Sequence, residues 1–162
     1  MKNKILLFNS YFNRFLAITF LIVVIALIGC QKDEEIETSY WSVDEIEYTA
    51  TTTKWTSSSQ TDYQVPEFKA IDRNTGSYVM VLFNKKPTKS GSYEVFIGNV
   101  AQIPDDKLMF EFYLNNHWYH AQPGGIVDVI VENGKTRINF SNIRSLNGLL
   151  ESVRSNGKLI ED

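Results

Sequence analysis

The sequence predicts an all-β fold: an antiparallel, immunoglobulin-like β-sandwich of about eight or nine strands in residues 40–162. Three observations predict it. Apolar and polar residues alternate at period two along most segments beyond residue 45. Turn signals recur every 8–12 residues. No apolar pattern of period 3.6 persists for ten residues after Cys30.

The elements follow in order. Ile46, Tyr48 and Ala50 alternate with Glu47 and Thr49, which places one face in a core. Residues 51–63 are rich in Thr and Ser and read as a loop or an exposed strand edge. Phe68 to Ile71 is a short strand, closed by the turn Asp72-Arg73-Asn74-Thr75-Gly76. Tyr78 to Phe83 is apolar on both faces, as a central strand is, and this favours a sandwich over a barrel. A polar loop from Lys85 to Gly91 leads into a strand from Ser92 to Ile97, and Pro104-Asp105-Asp106 breaks the chain again. Leu108, Phe110, Phe112 and Leu114 alternate with Met109, Glu111 and Tyr113, and Asn115-Asn116 turns the chain into an antiparallel return from His117 to Ala121. Ile126–Val131 and Thr136–Ile143 flank a hairpin at Asn133-Gly134. Leu149–Val153 and Lys158–Ile160 flank a third hairpin signal, Asn156-Gly157. The one helical turn the pattern allows lies at Ile143–Leu150.

The N-terminus has a different character. Lys2, Lys4 and Arg14 precede an apolar stretch from Phe15 to Ile28 that is interrupted only by Thr19. As a helix that stretch would be roughly 21 Å long, short of the ~30 Å hydrocarbon core of a bilayer. A basic head, a short apolar core and a small residue at the cut describe a secretory signal. Leu27-Ile28-Gly29-Cys30 resembles the lipobox of bacterial lipoproteins. The resemblance implies cleavage after Gly29 and transfer of a diacylglycerol group to the Cys30 thiolate, the nucleophilic form of the side chain. One acyl chain binds a membrane only reversibly, whereas two or three hold permanently.

Gln31 is followed by Lys32, Asp33, Glu34 and Glu35. At this distance from Cys30 the run resembles the surface-export signal of Bacteroidota-type lipoproteins, which implies the outer membrane with the body facing outward. Three further stretches resemble a group of uncharacterised β-sandwich lipoproteins of that phylum. They are Trp41-Ser42-Val43, the run Pro87 to Tyr93, and Gly125 to Val129 followed by Thr136 to Ser141. This resemblance implies a fold and an envelope address, and no activity. The organisation is therefore 1–29 signal peptide, 30–39 lipidated tether, and 40–162 β-sandwich domain.

Composition excludes several classes. The chain carries −3, and −6 from Cys30 onward, because Lys2, Lys4 and Arg14 are the only charges before it. That is no strongly basic nucleic-acid binder. One cysteine among 162 residues forms no internal disulfide and no four-cysteine zinc site. No Gly-rich phosphate loop or dinucleotide fingerprint is present, and no cofactor is expected.

The candidate site residues are aromatic. Trp118, Tyr119 and Trp55, with Tyr63 and Tyr113, would form a platform on which sugar rings stack their C–H faces. Asn115, Asn116 and Gln122 would bond the hydroxyls. Core packing competes for the same rings, since each buries about 150–250 Å², and Trp118 and Tyr119, as neighbours, take opposite faces. His117 and His120 lie three apart on a strand and point to opposite faces, so they do not share a metal. Asp105, Asp106 and Asp128 lack the spacing of a calcium loop, and no Ser, His and Asp set is marked as a triad. No catalytic or metal-ligating residue is assigned. The reading is a non-enzymatic, lipid-anchored binding module at the outer membrane, with a glycan or an envelope protein as partner. The alternative is an envelope hydrolase or glycan-processing accessory enzyme, which a histidine in a pocket beside a carboxylate would favour. A structural subunit pairing through a long strand edge near residues 51–63 is the third reading.

Overall fold

The structure, a computed structural model, describes residues 37–57 and 64–162. The signal segment, Cys30, the run Lys32 to Glu35 and Tyr63 lie outside the described residues. Eleven strands form. They are β1 Tyr40–Val43, β2 Ile46–Thr49, β3 Thr52–Ser57, β4 Pro66–Asp72, β5 Ser77–Phe83, β6 Gly91–Val95, β7 Lys107–Leu114, β8 His117–Ala121, β9 Ile126–Glu132, β10 Lys135–Asn147 and β11 Ser152–Ile160. A single 3-10 turn, Val100–Gln102, is the only helical element among the described residues. The all-β class is as expected, with eleven strands in place of eight or nine.

The strands run in the order β2-β1-β11-β10-β9-β6-β7-β5-β4-β3, and β8 bridges β10 and β7. Strands β10, β9, β6, β7 and β8 thereby close a five-stranded ring. Closure depends on β10, which is 13 residues long. Its first half pairs with β9, and Ser145 to Asn147 pair with β8. Between them the register against β11 shifts from Phe140 to Ile143, with Asn142 at φ 55°. A bulge of this kind bends the strand, so one edge serves two neighbours. The parallel contact that completes the ring is short: Glu94 opposite Lys107 and Val95 opposite Leu108.

Two expected hairpins form as read. Asn115 and Asn116 take φ 49° and 65°, and Asn133 and Gly134 take 52° and 77°, the positive pair a two-residue turn needs. Two other readings are corrected. Asn156-Gly157 is no turn, because β11 runs through it and the chain reverses at Gly148–Leu150. Gly157 lies between Trp41 and Phe140 in the pairing. A Cβ there would stand 2.5 Å from Phe140 Cζ and 2.8 Å from the Tyr40 carbonyl oxygen. The glycine makes room for two aromatic rings. Ile143–Leu150 holds no helical turn either, since Ile143, Ser145 and Asn147 are buried in strand alternation with Arg144 and Leu146. The spacing of Ile143, Leu146 and Leu150 only imitates a helical face.

One core lies inside the curved sheet, built on Trp41, Phe68, Phe83, Phe110, Phe112 and Phe140 with their aliphatic neighbours. The second face of Tyr78–Phe83 is covered differently from the expectation. Met80 and Leu82 pack under the segment after β6, with Val65 and Ile103, and with Phe96 and Val100 partly buried against them. Among the described residues loop segments cover that face, and β6 ends at Val95, two residues early. The Thr- and Ser-rich stretch gives the edge strand β3, whose Thr53 N–H donates to Asp162 across 2.8 Å.

The chain enters this body at Glu37. Its carboxylate accepts hydrogen bonds from Lys158 Nζ at 2.7 Å and from Arg137. The Lys158 bond, aided by the charge of Arg137, holds the carboxyl below its ordinary range. These ion pairs are therefore formed at neutral pH and weaken as pH falls through that lowered value, while Ser39 remains bonded to Ile160. Asn147 lies ten residue steps beyond Arg137 on β10, a run of at most about 33 Å at strand rise. Entry point and Gly148–Leu150 turn thus occupy opposite ends of the β10–β11 hairpin.

Candidate functional site

The outward face of β5, β7 and β8 carries a cross-strand row. Tyr78 lies opposite Tyr113, and Tyr113 opposite Trp118. The two tyrosine rings stack with centroids 5.0 Å apart, and Trp118 meets Tyr113 edge-on at 5.3 Å. Lys69 Nζ sits 3.9 Å from the Tyr78 centroid, a cation–π contact that fixes one end of the row. Burial pushes the Tyr78 phenol above its ordinary value, so this end stays neutral.

The next row holds Met80, Glu111, His120 and Leu146. His120 Nδ1 and Glu111 Oε1 are 3.0 Å apart. The imidazole also lies parallel to Trp118, at 11° and 6.5 Å between centroids. Two contacts thus hold the ring, and Nε2 is the atom left for other partners. His120 borders two grooves. One, of about 360 Å³, lies between β7–β8 and the Ile97–Val100 segment, and Glu111 is its only carboxylate. The other, of about 710 Å³, lies between β8 and the turn after β10.

That turn is built on Asn147, which is buried. Its Oδ1 accepts from the N–H groups of Leu149 and Glu151, both at 2.9 Å, and its Nδ2 donates to Glu151 at 2.6 Å. Leu150 N–H donates to the Asn147 carbonyl. The turn presents two leucines to water, Leu149 at 70 % and Leu150 at 79 % exposure. Leu150 has φ 63°, a left-handed conformation that costs a non-glycine residue about 1–2 kcal/mol.

The sequence candidates separate on this geometry. Trp118 and Asn116 line the larger groove, and Asn116 Oδ1 accepts from the Tyr113 hydroxyl at 3.2 Å. Tyr119 faces the other way and packs on the core. Trp55 also packs on the core, edge-on to Phe68 at 5.0 Å, and its Nε1 donates to Thr136. The expected platform of all these rings is therefore divided: Trp118 and Tyr113 share one face, and Trp55 and Tyr119 pack toward the interior. Asp105 accepts from Asn84 and Lys85, whereas Asp128 accepts from Ser92, so these carboxylates serve different neighbours. Among the described residues no group of three or more His, Cys, Asp or Glu converges as a metal site does.

Glu111, Tyr78, Leu149 and Leu150 join the site without having been singled out in the sequence. Glu111 had a signal: a two-residue turn at Asn115-Asn116 forces Tyr113 opposite Trp118 and Glu111 opposite His120. The two leucines had none, because the turn they sit on replaces an expected strand. No family model matches this chain, and no curated protein or solved structure does.

Proposed function

We propose that the chain is a lipid-anchored, non-enzymatic binding module of the cell envelope, displayed outward from the outer membrane. Its anchor is acylated Cys30, its export signal Lys32 to Glu35, and its ligand face the groove beside Trp118. The observation that carries the binding role is the outward aromatic row ending at Trp118 and His120, flanked by grooves on both sides. Tyr78 and Trp118 pack in part on the cluster of Val65, Met80, Leu82 and Ile103, and the edge of Trp118 left open to the larger groove supports a contact role. The body as a whole is a sandwich in this reading. Strands β4 and β5 on one flank, and β1, β2 and β11 on the other, put their inner residues into one core.

The second reading, an envelope hydrolase, is favoured by the His120–Glu111 pair in a groove. It lacks partners. Neither groove is lined by Ser, Thr or Cys, and glycoside hydrolysis by the usual route needs two carboxylates. It would show as oligosaccharide cleavage that His120→Ala abolishes.

Acylation is tested by mass. The protein from membranes should carry a diacylglycerol on Cys30 and begin at that residue, and Cys30→Ala should carry no diacylglycerol and not begin at residue 30. An unmodified Cys30 in the membrane-bound protein would overturn the anchor.

A further inference from the structure

We infer that the groove between β8 and the Leu149–Leu150 turn holds a neutral saccharide, and that this turn is its clamp. The inference rests on the binding reading above and names the ligand class. The groove has three kinds of wall. Trp118 and Leu146 give an apolar floor, and Leu149 and Leu150 an apolar lip. Asn116, His117, His120 and Gln122 supply amide and imidazole groups along one side. No Lys, Arg, Asp or Glu lines it.

That combination selects by chemistry. An anionic ligand, such as a uronic acid or a phosphate, would lose water without meeting a Lys or Arg, with only the two imidazoles to face it. A cationic ligand would find no carboxylate, because Glu111 lies on the other groove and is bonded to His120. A pyranose has apolar C–H faces for Trp118 and the leucines. Its hydroxyls match side chains that both donate and accept.

The turn itself points to use. A leucine held left-handed and exposed is a local cost that the fold does not need, since glycine or asparagine would serve there. Strain of this sort persists where surrounding bonds over-determine it, and it collects at ligand clamps. Asn147 supplies those bonds.

The full chain in detergent is titrated with three probes, read by tryptophan fluorescence and calorimetry: neutral hexose oligosaccharides, polygalacturonate, and a phenylalanine-rich peptide. Binding is expected for a neutral oligosaccharide. Trp118→Ala should weaken it at least tenfold. Leu150→Gly should weaken it several-fold while its unfolding midpoint stays unchanged or rises, because glycine accepts φ 63°. A residue kept for folding alone would give the reverse pattern. Peptide or polygalacturonate binding that Trp118→Ala abolishes would overturn the neutral-saccharide assignment and leave the binding module standing. Neutral saccharide binding insensitive to Trp118→Ala would overturn the groove as its site. Binding of none of the probes would overturn both.

Discussion

Phe110→Ala is expected to remove about 4 kcal/mol of folding stability, within the range for Phe→Ala in well-packed cores. Phe110 lies on β7 at 1 % exposure, with Phe112 at 4.9 Å and Phe140 at 4.7 Å between ring centroids. It therefore joins β7 and β10, the two strands that β8 bridges to close the ring. Truncation removes two edge-to-face contacts and leaves a cavity that short, mutually paired strands cannot collapse to fill. Domains of this size hold about 5–15 kcal/mol in total, so the loss is a large share. Urea unfolding should show a lower midpoint with an unchanged slope. A loss below about 1 kcal/mol would mean that Phe110 is not packed as described.

Gly157→Ala is expected to cost about 3 kcal/mol, the upper part of the range for overpacking. The new methyl would meet Phe140 Cζ at 2.5 Å, the Tyr40 carbonyl oxygen at 2.8 Å and Trp41 Cβ at 2.9 Å. A side chain can swing away, but the Tyr40 carbonyl belongs to the β1–β11 pairing and cannot. The size of the effect discriminates. Gly134 sits in a true turn at φ 77° with nothing within 4 Å of its Cβ position, and alanine there should cost only about 1 kcal/mol. If the two glycines gave equal losses by thermal unfolding, the strand assignment at Gly157 would fail.

The same glycine shows where sequence reading stops. Local patterns located three strands with little error: period-two alternation β7, a continuous apolar run β5, and the Asn133-Gly134 hairpin signal β9. Asn-Asn at 115–116 and Asn-Gly at 133–134 turned the chain because both central residues tolerate positive φ. Asn156-Gly157 has the same letters, yet two rings from distant strands claim the space above the glycine. Nothing within ten residues announces Trp41 or Phe140. Ring closure was illegible for a related reason: it depends on one bulge after Phe140 and on a strand edge shared between β9 and β8. The site was half legible. Trp118 and Asn116 were singled out by their own chemistry, and Glu111 followed from hairpin register. Leu149 and Leu150 became visible only once β11 was known to begin at Ser152.

The proposed outward display from a lipid anchor and the proposed groove at the end away from Glu37 are tested together by one thiol. Cys30 is the only cysteine of the chain, and acylation would consume its thiol. Leu149→Cys then places a single free thiol on the exposed turn. Intact cells carrying this variant are treated with a membrane-impermeant maleimide. Labelling of Leu149→Cys on intact cells, with none of the parent protein before or after lysis, is the predicted result. Labelling of Leu149→Cys only after lysis would contradict outward display, and labelling of the parent protein after lysis would contradict the acylated anchor.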